Sequence, residues 1–161
     1  MTICSLSNSK MMKKTTLLAL VAMFSLNALA ADEVQEVTLT PDNITGMKYV
    51  TPEFTVKAGQ KVKLTLDNAS KIPQPHNVVI VKPGKFDEVG ALALKLLTDP
   101  TGMAKSYIPE SDLILFKMPF VQPLQKGVLE FTAPAEAGDY PFSCTFPGHW
   151  MLMKGVMKVT K

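Results

Sequence analysis

Three residues with metal-binding side chains stand on one short stretch near the end of this chain. In the run Tyr140-Pro141-Phe142-Ser143-Cys144-Thr145-Phe146-Pro147-Gly148-His149-Trp150-Met151-Leu152-Met153, four residues separate Cys144 from His149 and three more separate His149 from Met153. A thiolate, an imidazole and a thioether form a soft donor set that suits copper, whereas calcium and magnesium take oxygen ligands. Pro147-Gly148 is a turn signal that folds the imidazole back toward the sulfur. Apolar strands are expected on both sides, so the donors hang from rigid supports.

A fourth donor lies far upstream. His76 and His149 are the two histidines of the chain, and both stand where a loop meets a strand. A lone histidine in a β-protein is more often structural, and a lone cysteine more often an inert buried residue. Taken together, His76, Cys144, His149 and Met153 instead compose a His₂Cys set with a weak axial Met, the pattern of blue-copper electron-transfer sites. The chain has ten methionines, so Met153 is the least specific of the four on chemistry alone. Met151 reads either as core or as a surface for a partner.

The elements that must position these groups begin after residue 30. Lys13 and Lys14 precede an apolar run from Leu17 to Leu26, and Ala28-Leu29-Ala30 places small residues at a cleavage site. Residues 1–30 therefore read as a cleaved secretory signal peptide, too short in its apolar part to span a membrane. Residues 31–161 read as a single domain that is periplasmic or secreted. The formal charge of +3 belongs to the whole chain; three of the 17 lysines precede residue 31, leaving 14 lysines against 14 acidic residues. There is no arginine, which disfavours bidentate phosphate recognition, and no nucleic-acid partner is expected. Cys4 falls before the apolar run and is lost with it. Cys144 then has no disulfide partner, and thiolate ligation to a metal protects it in an oxidising compartment.

In chain order, Val37 and Leu39 mark a first strand that ends at Pro41-Asp42-Asn43. Met47 to Val50 reads as an extended piece, and Phe54 to Lys57 as a strand. Lys61 to Asp67 is the cleanest alternation, with Val62, Leu64 and Leu66 on one face. His76 to Val81 is a continuous apolar, β-branched strand. Val89, Leu92, Ala93 and Leu96 repeat at helical spacing after Asp87 and Glu88, which predicts one amphipathic helix. Leu113 to Phe116 is expected to be a strand limited by Pro119 and Pro123. Gly127 to Thr132, Tyr140 to Thr145 and Gly155 to Thr160 complete the set. Short strands between turn signals, with one helical insertion, indicate an all-β, antiparallel β-sandwich.

The stretch Cys144-Thr145-Phe146-Pro147-Gly148-His149, continued by Met153-Lys154-Gly155, resembles the copper loop of azurins. His76-Asn77 resembles the upstream ligand motif of azurins and plastocyanins. The likeness extends to Met47, the helical insertion, Gly102-Met103-Ala104 and the closing strand. It implies a cupredoxin-type Greek-key β-sandwich holding one type 1 copper, with His76, Cys144 and His149 equatorial and Met153 axial. It also implies that the backbone N–H groups of Asn77 and Phe146 face the Cys144 sulfur. The Asn77 side chain is expected to tie the strand of His76 to the loop around Thr145. Pro75 stands where azurins have a glycine, so their fifth, carbonyl contact is not carried over. The azurin disulfide is absent, and Trp150 is not an azurin residue.

These readings converge on an exported, monomeric one-electron carrier that cycles Cu(I) and Cu(II). Phe146, Pro147 and Trp150 are expected to surround His149 with an apolar face for transient redox partners, and His149 is expected to turn a ring edge to solvent. A copper carrier or buffer is the alternative. An enzyme is not expected, because a catalytic copper needs further histidines and both are already used.

Overall fold

A computed structural model describes residues 33–161 together with Met1 and Thr2. The signal-peptide reading falls on residues 1–30, nearly all of which lie outside the described residues. Eight strands and one helix follow in the order β1 (Gln35–Leu39), β2 (Glu53–Lys57), β3 (Lys61–Asp67), β4 (His76–Val81), α1 (Phe86–Lys95), β5 (Ile114–Val121), β6 (Lys126–Thr132), β7 (Gly138–Ser143) and β8 (Lys154–Thr160). They form a Greek-key β-sandwich with one helical insertion. One sheet has the order β1-β3-β6 and the other β2-β8-β7-β4-β5.

Alternation places the inner faces. Val62, Leu64 and Leu66 of β3 are buried, with the intervening residues partly open. They join Val78, Ile80, Phe142, Met157 and Cys144 in the core. Every residue of β4 is buried, because this strand is covered twice. Val78 and Ile80 enter the core between the sheets. Val79 and Val81 meet Val89 of α1, Ile108 and the partly buried Phe86 on the outer face. Each such buried valine contributes roughly 1.5–3 kcal/mol, so a strand without polar alternation is what this position requires. Asp87 and Glu88 in the first turn of α1 and Lys95 in the last suit the helix dipole.

The strand reading needs three corrections. The sandwich is mixed, since β1 pairs with β3 and β2 with β8 in parallel; the chain crosses to the opposite sheet for β2 and returns, so β1 and β3 run the same way. Strand β5 continues through Pro119 to Val121. It lies at a sheet edge, and a register shift opposite Asn77 accommodates the missing N–H. Met47 to Val50 forms no strand beyond the isolated bridge Pro41↔Tyr49. The Asp42 carboxylate there accepts the N–H groups of Ile44, Thr45 and Lys48 and the Thr45 hydroxyl, and this wraps the segment into a turn. Among the described residues, no helix is long and apolar enough to cross a membrane.

Candidate metal centre

Two strand ends and one loop build the site. His76 is the first residue of β4, Cys144 follows the end of β7, and Met153 immediately precedes β8. Because β4, β7 and β8 are neighbours in one sheet, residues distant in sequence arrive at the same end of the sandwich. Between Cys144 and Met153 the chain makes a compact turn. The His149 N–H donates to the Phe146 carbonyl at 2.9 Å, while the His149 carbonyl accepts from Leu152 at 2.9 Å and from Met153 at 2.7 Å. The Cys144 N–H closes the loop on the Met153 carbonyl at 2.9 Å. Gly148, with φ of +85°, supplies the left-handed step that directs His149 inward.

The donors converge. Cys144 Sγ lies 3.9 Å from His76 Nδ1 and 3.8 Å from His149 Nδ1, and the three donor atoms all fall within 4.8 Å of one another. Metal–ligand bonds of about 2.0–2.3 Å on three sides of one ion leave donor atoms at about this spacing. Met153 is fully buried at the foot of the same loop. The donor set, its spacing and its burial fit one type 1 copper.

The electrostatics agree with a cation-binding role. Burial pushes the Cys144 thiol up to about 12, against which the backbone N–H groups of Asn77 and Phe146 pull it down. Burial, together with the adjacent His149, lowers His76 to about 4, with the Asp42 charge opposing. Burial also lowers His149. Both imidazoles are thus neutral at neutral pH, the form that ligates. Burial disfavours the Cys144 thiolate, and a bound metal ion would supply the positive charge that stabilises it.

Asn77 ties the two ligand-bearing segments together. Its Nδ2 donates to the Thr145 hydroxyl at 2.8 Å and its Oδ1 accepts the Thr145 N–H at 2.7 Å. The structure adds partners the sequence did not suggest. Nδ2 also donates to the Ser106 carbonyl at 2.6 Å, and the buried Tyr49 hydroxyl donates to the Asn77 carbonyl at 2.9 Å. Ser106 holds a positive φ of 53°, and its own hydroxyl accepts the Phe120 N–H.

The surface around His149 differs from expectation. His149 is 2% exposed and His76 0%, so the loop imidazole is covered almost as completely as the strand imidazole. The Phe146 ring packs edge-on against His149 at 4.9 Å, and the His76 ring lies at 5.1 Å. Phe146, Pro147 and Trp150 are each half-buried. Trp150 turns onto α1, with its ring 4.8 Å from that of Phe86. The open apolar groups of the loop are Met151 and Leu152, at 54% and 52% exposure.

The model of the copper-binding proteins of the plastocyanin/azurin family matches residues 35–160. The chain belongs to this family. As a cupredoxin it is 36% identical to auracyanin-A of Chloroflexus aurantiacus over 108 residues. That match covers 66% of this chain and 64% of auracyanin-A, so it spans just under two thirds of that relative's length. An azurin from Alcaligenes faecalis is 26% identical over 120 residues, 70% of this chain and 90% of the azurin. Among solved structures, auracyanin A of Chloroflexus aurantiacus, described as a "blue" copper protein, superposes with a TM-score of 0.69 at 30% identity. It is covered completely by 80% of this cupredoxin. Dithionite-reduced auracyanin from Roseiflexus castenholzii gives a TM-score of 0.66 at 33% identity, covering 79% of this chain and 98% of that one.

Proposed function

We propose that this cupredoxin is an exported one-electron carrier, in which His76, Cys144, His149 and Met153 would hold one copper. Bound copper supplies the Cu(I)/Cu(II) couple; the protein supplies a rigid, water-poor setting for it. The observation that carries this reading is the convergence of one thiol and two imidazole Nδ1 atoms in a buried cluster. Its backbone is held from both sides by Asn77 and by the Cys144–Met153 hydrogen bond. Donors held in this way move little between oxidation states, which favours fast electron transfer. Met151 and Leu152, rather than Trp150, offer the apolar contact for redox partners beside His149, and such contacts are small and transient.

The alternative, a copper carrier or buffer that hands over the metal, draws support from the exposed Met151 thioether two residues from Met153. The full burial of His76 and Cys144 speaks for retention instead. Localisation is proposed as periplasmic or secreted after cleavage near Ala31, and the intact mass of the exported protein tests that point.

The deciding experiment is titration of the metal-free protein with Cu(II). An intense visible thiolate-to-copper band, reversible one-electron cycling, and loss of the band in Cys144→Ser are the expected results. A colourless wild-type complex would refute the assignment. A band without reversible cycling, together with ready transfer of Cu(I) to a chelator, would favour the copper carrier.

A further inference from the structure

Helix α1 packs against the loop that carries His149. Trp150 is the single tryptophan of the chain and directly follows His149. Its indole lies tilted on Phe86 at 4.8 Å, and the Lys154 ammonium stands 5.4 Å over the same Phe86 ring. Gly90, buried in the middle of the helix, provides the floor. A methyl group at Gly90 would come 2.1 Å from Trp150 Cη2 and 2.2 Å from Cζ3, well inside van der Waals contact. Glycine is the poorest helix former after proline, and Gly90 does not have a positive φ. Close approach of the indole therefore accounts for this glycine, rather than a special backbone conformation.

The helix is itself fastened to the strand that carries the other imidazole. Val89 of α1 and Val79 and Val81 of β4 share one buried cluster, with Phe86 packed against it. His76 thus stands on β4 directly, and His149 is referred to the same strand through α1 and Trp150. On its other side, Trp150 belongs to the turn in which the His149 carbonyl holds the N–H groups of Leu152 and Met153. A shift of the Trp150 backbone within this turn would therefore carry His149 and Met153 with it.

We infer that Trp150, seated on Gly90 and Phe86, is a positioning residue that sets the orientation of His149 and Met153 toward Cys144. This rests on the copper reading of the site. Gly90→Ala tests it with two readouts. In the metal-free protein, emission from the single tryptophan should shift to longer wavelength as the indole leaves its seat. On copper titration the affinity should fall about 10- to 100-fold, the usual loss when a group that orients a ligand is removed, and the thiolate band should move. Gly90→Ala/Trp150→Phe, in which the smaller ring leaves room for the methyl group, should regain affinity and band position. A merely structural role would lower the stability of the metal-free protein while leaving the band of the folded, loaded protein unchanged. Should Gly90→Ala fail to fold, Phe86→Leu removes one wall of the seat and should shift emission, affinity and band in the same sense. Displaced emission with an unchanged band and affinity would overturn the inference alone, as would unchanged emission in both variants. A wild type with no thiolate band would overturn the copper reading as well, while the emission shift would still report whether the seat exists.

Discussion

Replacing Asn77 by alanine removes three hydrogen bonds from a place no water reaches. The side chain is wholly buried and donates to Ser106 and Thr145 while accepting from Thr145, at 2.6, 2.8 and 2.7 Å. Each bond contributes about 1 kcal/mol net, and a buried donor or acceptor left alone costs about 1–3 kcal/mol. The Thr145 N–H and the Ser106 carbonyl both lose the partner described above. The expected destabilisation is therefore about 3–5 kcal/mol, a large share of the roughly 5–15 kcal/mol that holds a domain together. Urea unfolding of the metal-free protein measures this without any contribution from copper. With an m value of about 1.5 kcal/mol/M, the midpoint should fall by about 2–3 M. Asn77→Asp keeps the acceptor for the Thr145 N–H but turns a carboxylate oxygen toward the Ser106 carbonyl, so it should rescue little. A loss below about 1 kcal/mol for the alanine variant would refute the reasoning, because it would mean that the amide is not the tie between β4 and the ligand loop.

On the proposed ligand set, Met153→Leu should keep copper and colour while raising the reduction potential, since loss of a weak thioether donor favours Cu(I); cyclic voltammetry showing an unchanged potential would mean that Met153 is not a ligand. The Asp42 carboxylate is held down to about 2, chiefly by the Thr45 N–H, with the Thr45 hydroxyl and the N–H groups of Ile44 and Lys48 adding to the effect. Its folded value thus lies below the ordinary 3.8, so its contribution to stability is present above about pH 4 and lost as the pH falls toward 2. Asp42→Asn should flatten acid unfolding measured across that window; an unaltered acid profile would count against the turn as a stabilising device. Cys144 is buried and its thiol is pushed up to about 12, so iodoacetamide should label the metal-free protein only at the rate of its unfolding. Rapid labelling of the folded form would contradict the closed site.

The parts of this fold that were legible in the sequence are those whose signal is local. The alternation of Lys61 to Asp67 shows in seven residues, and Cys144, His149 and Met153 carry their own spacing. His76 was legible because histidines are scarce and this one heads an unbroken apolar strand. What stayed hidden depends on partners elsewhere in the chain. Pro119 argues against a strand until β5 proves to be an edge with a register shift opposite Asn77. The direction of pairing between β2 and β8 leaves no mark in either segment. Ser106 and Tyr49 reach Asn77 through a turn and a loop that no periodicity reports. Gly90 stands in the middle of a helix, where glycine is unfavourable, and only the indole lying over it gives it a purpose.

The pairing of β2 with β8, which sets Glu53 beside Val156, also bears on the order in which the molecule is made. Folding that depends on contacts so far apart in the chain is slow, on the order of milliseconds to seconds. Cys144, His149 and Met153, by contrast, lie within ten residues, and a loop of that length closes in about 10–100 ns. On the proposed ligand set, a chain that meets copper before it folds would gather three donors at once, long before His76 arrives with β4. Copper present during refolding and copper added afterwards then reach the same centre by different routes. In the first case the metal would be held by a fragment and wait for the sandwich; in the second the sandwich would wait for the metal.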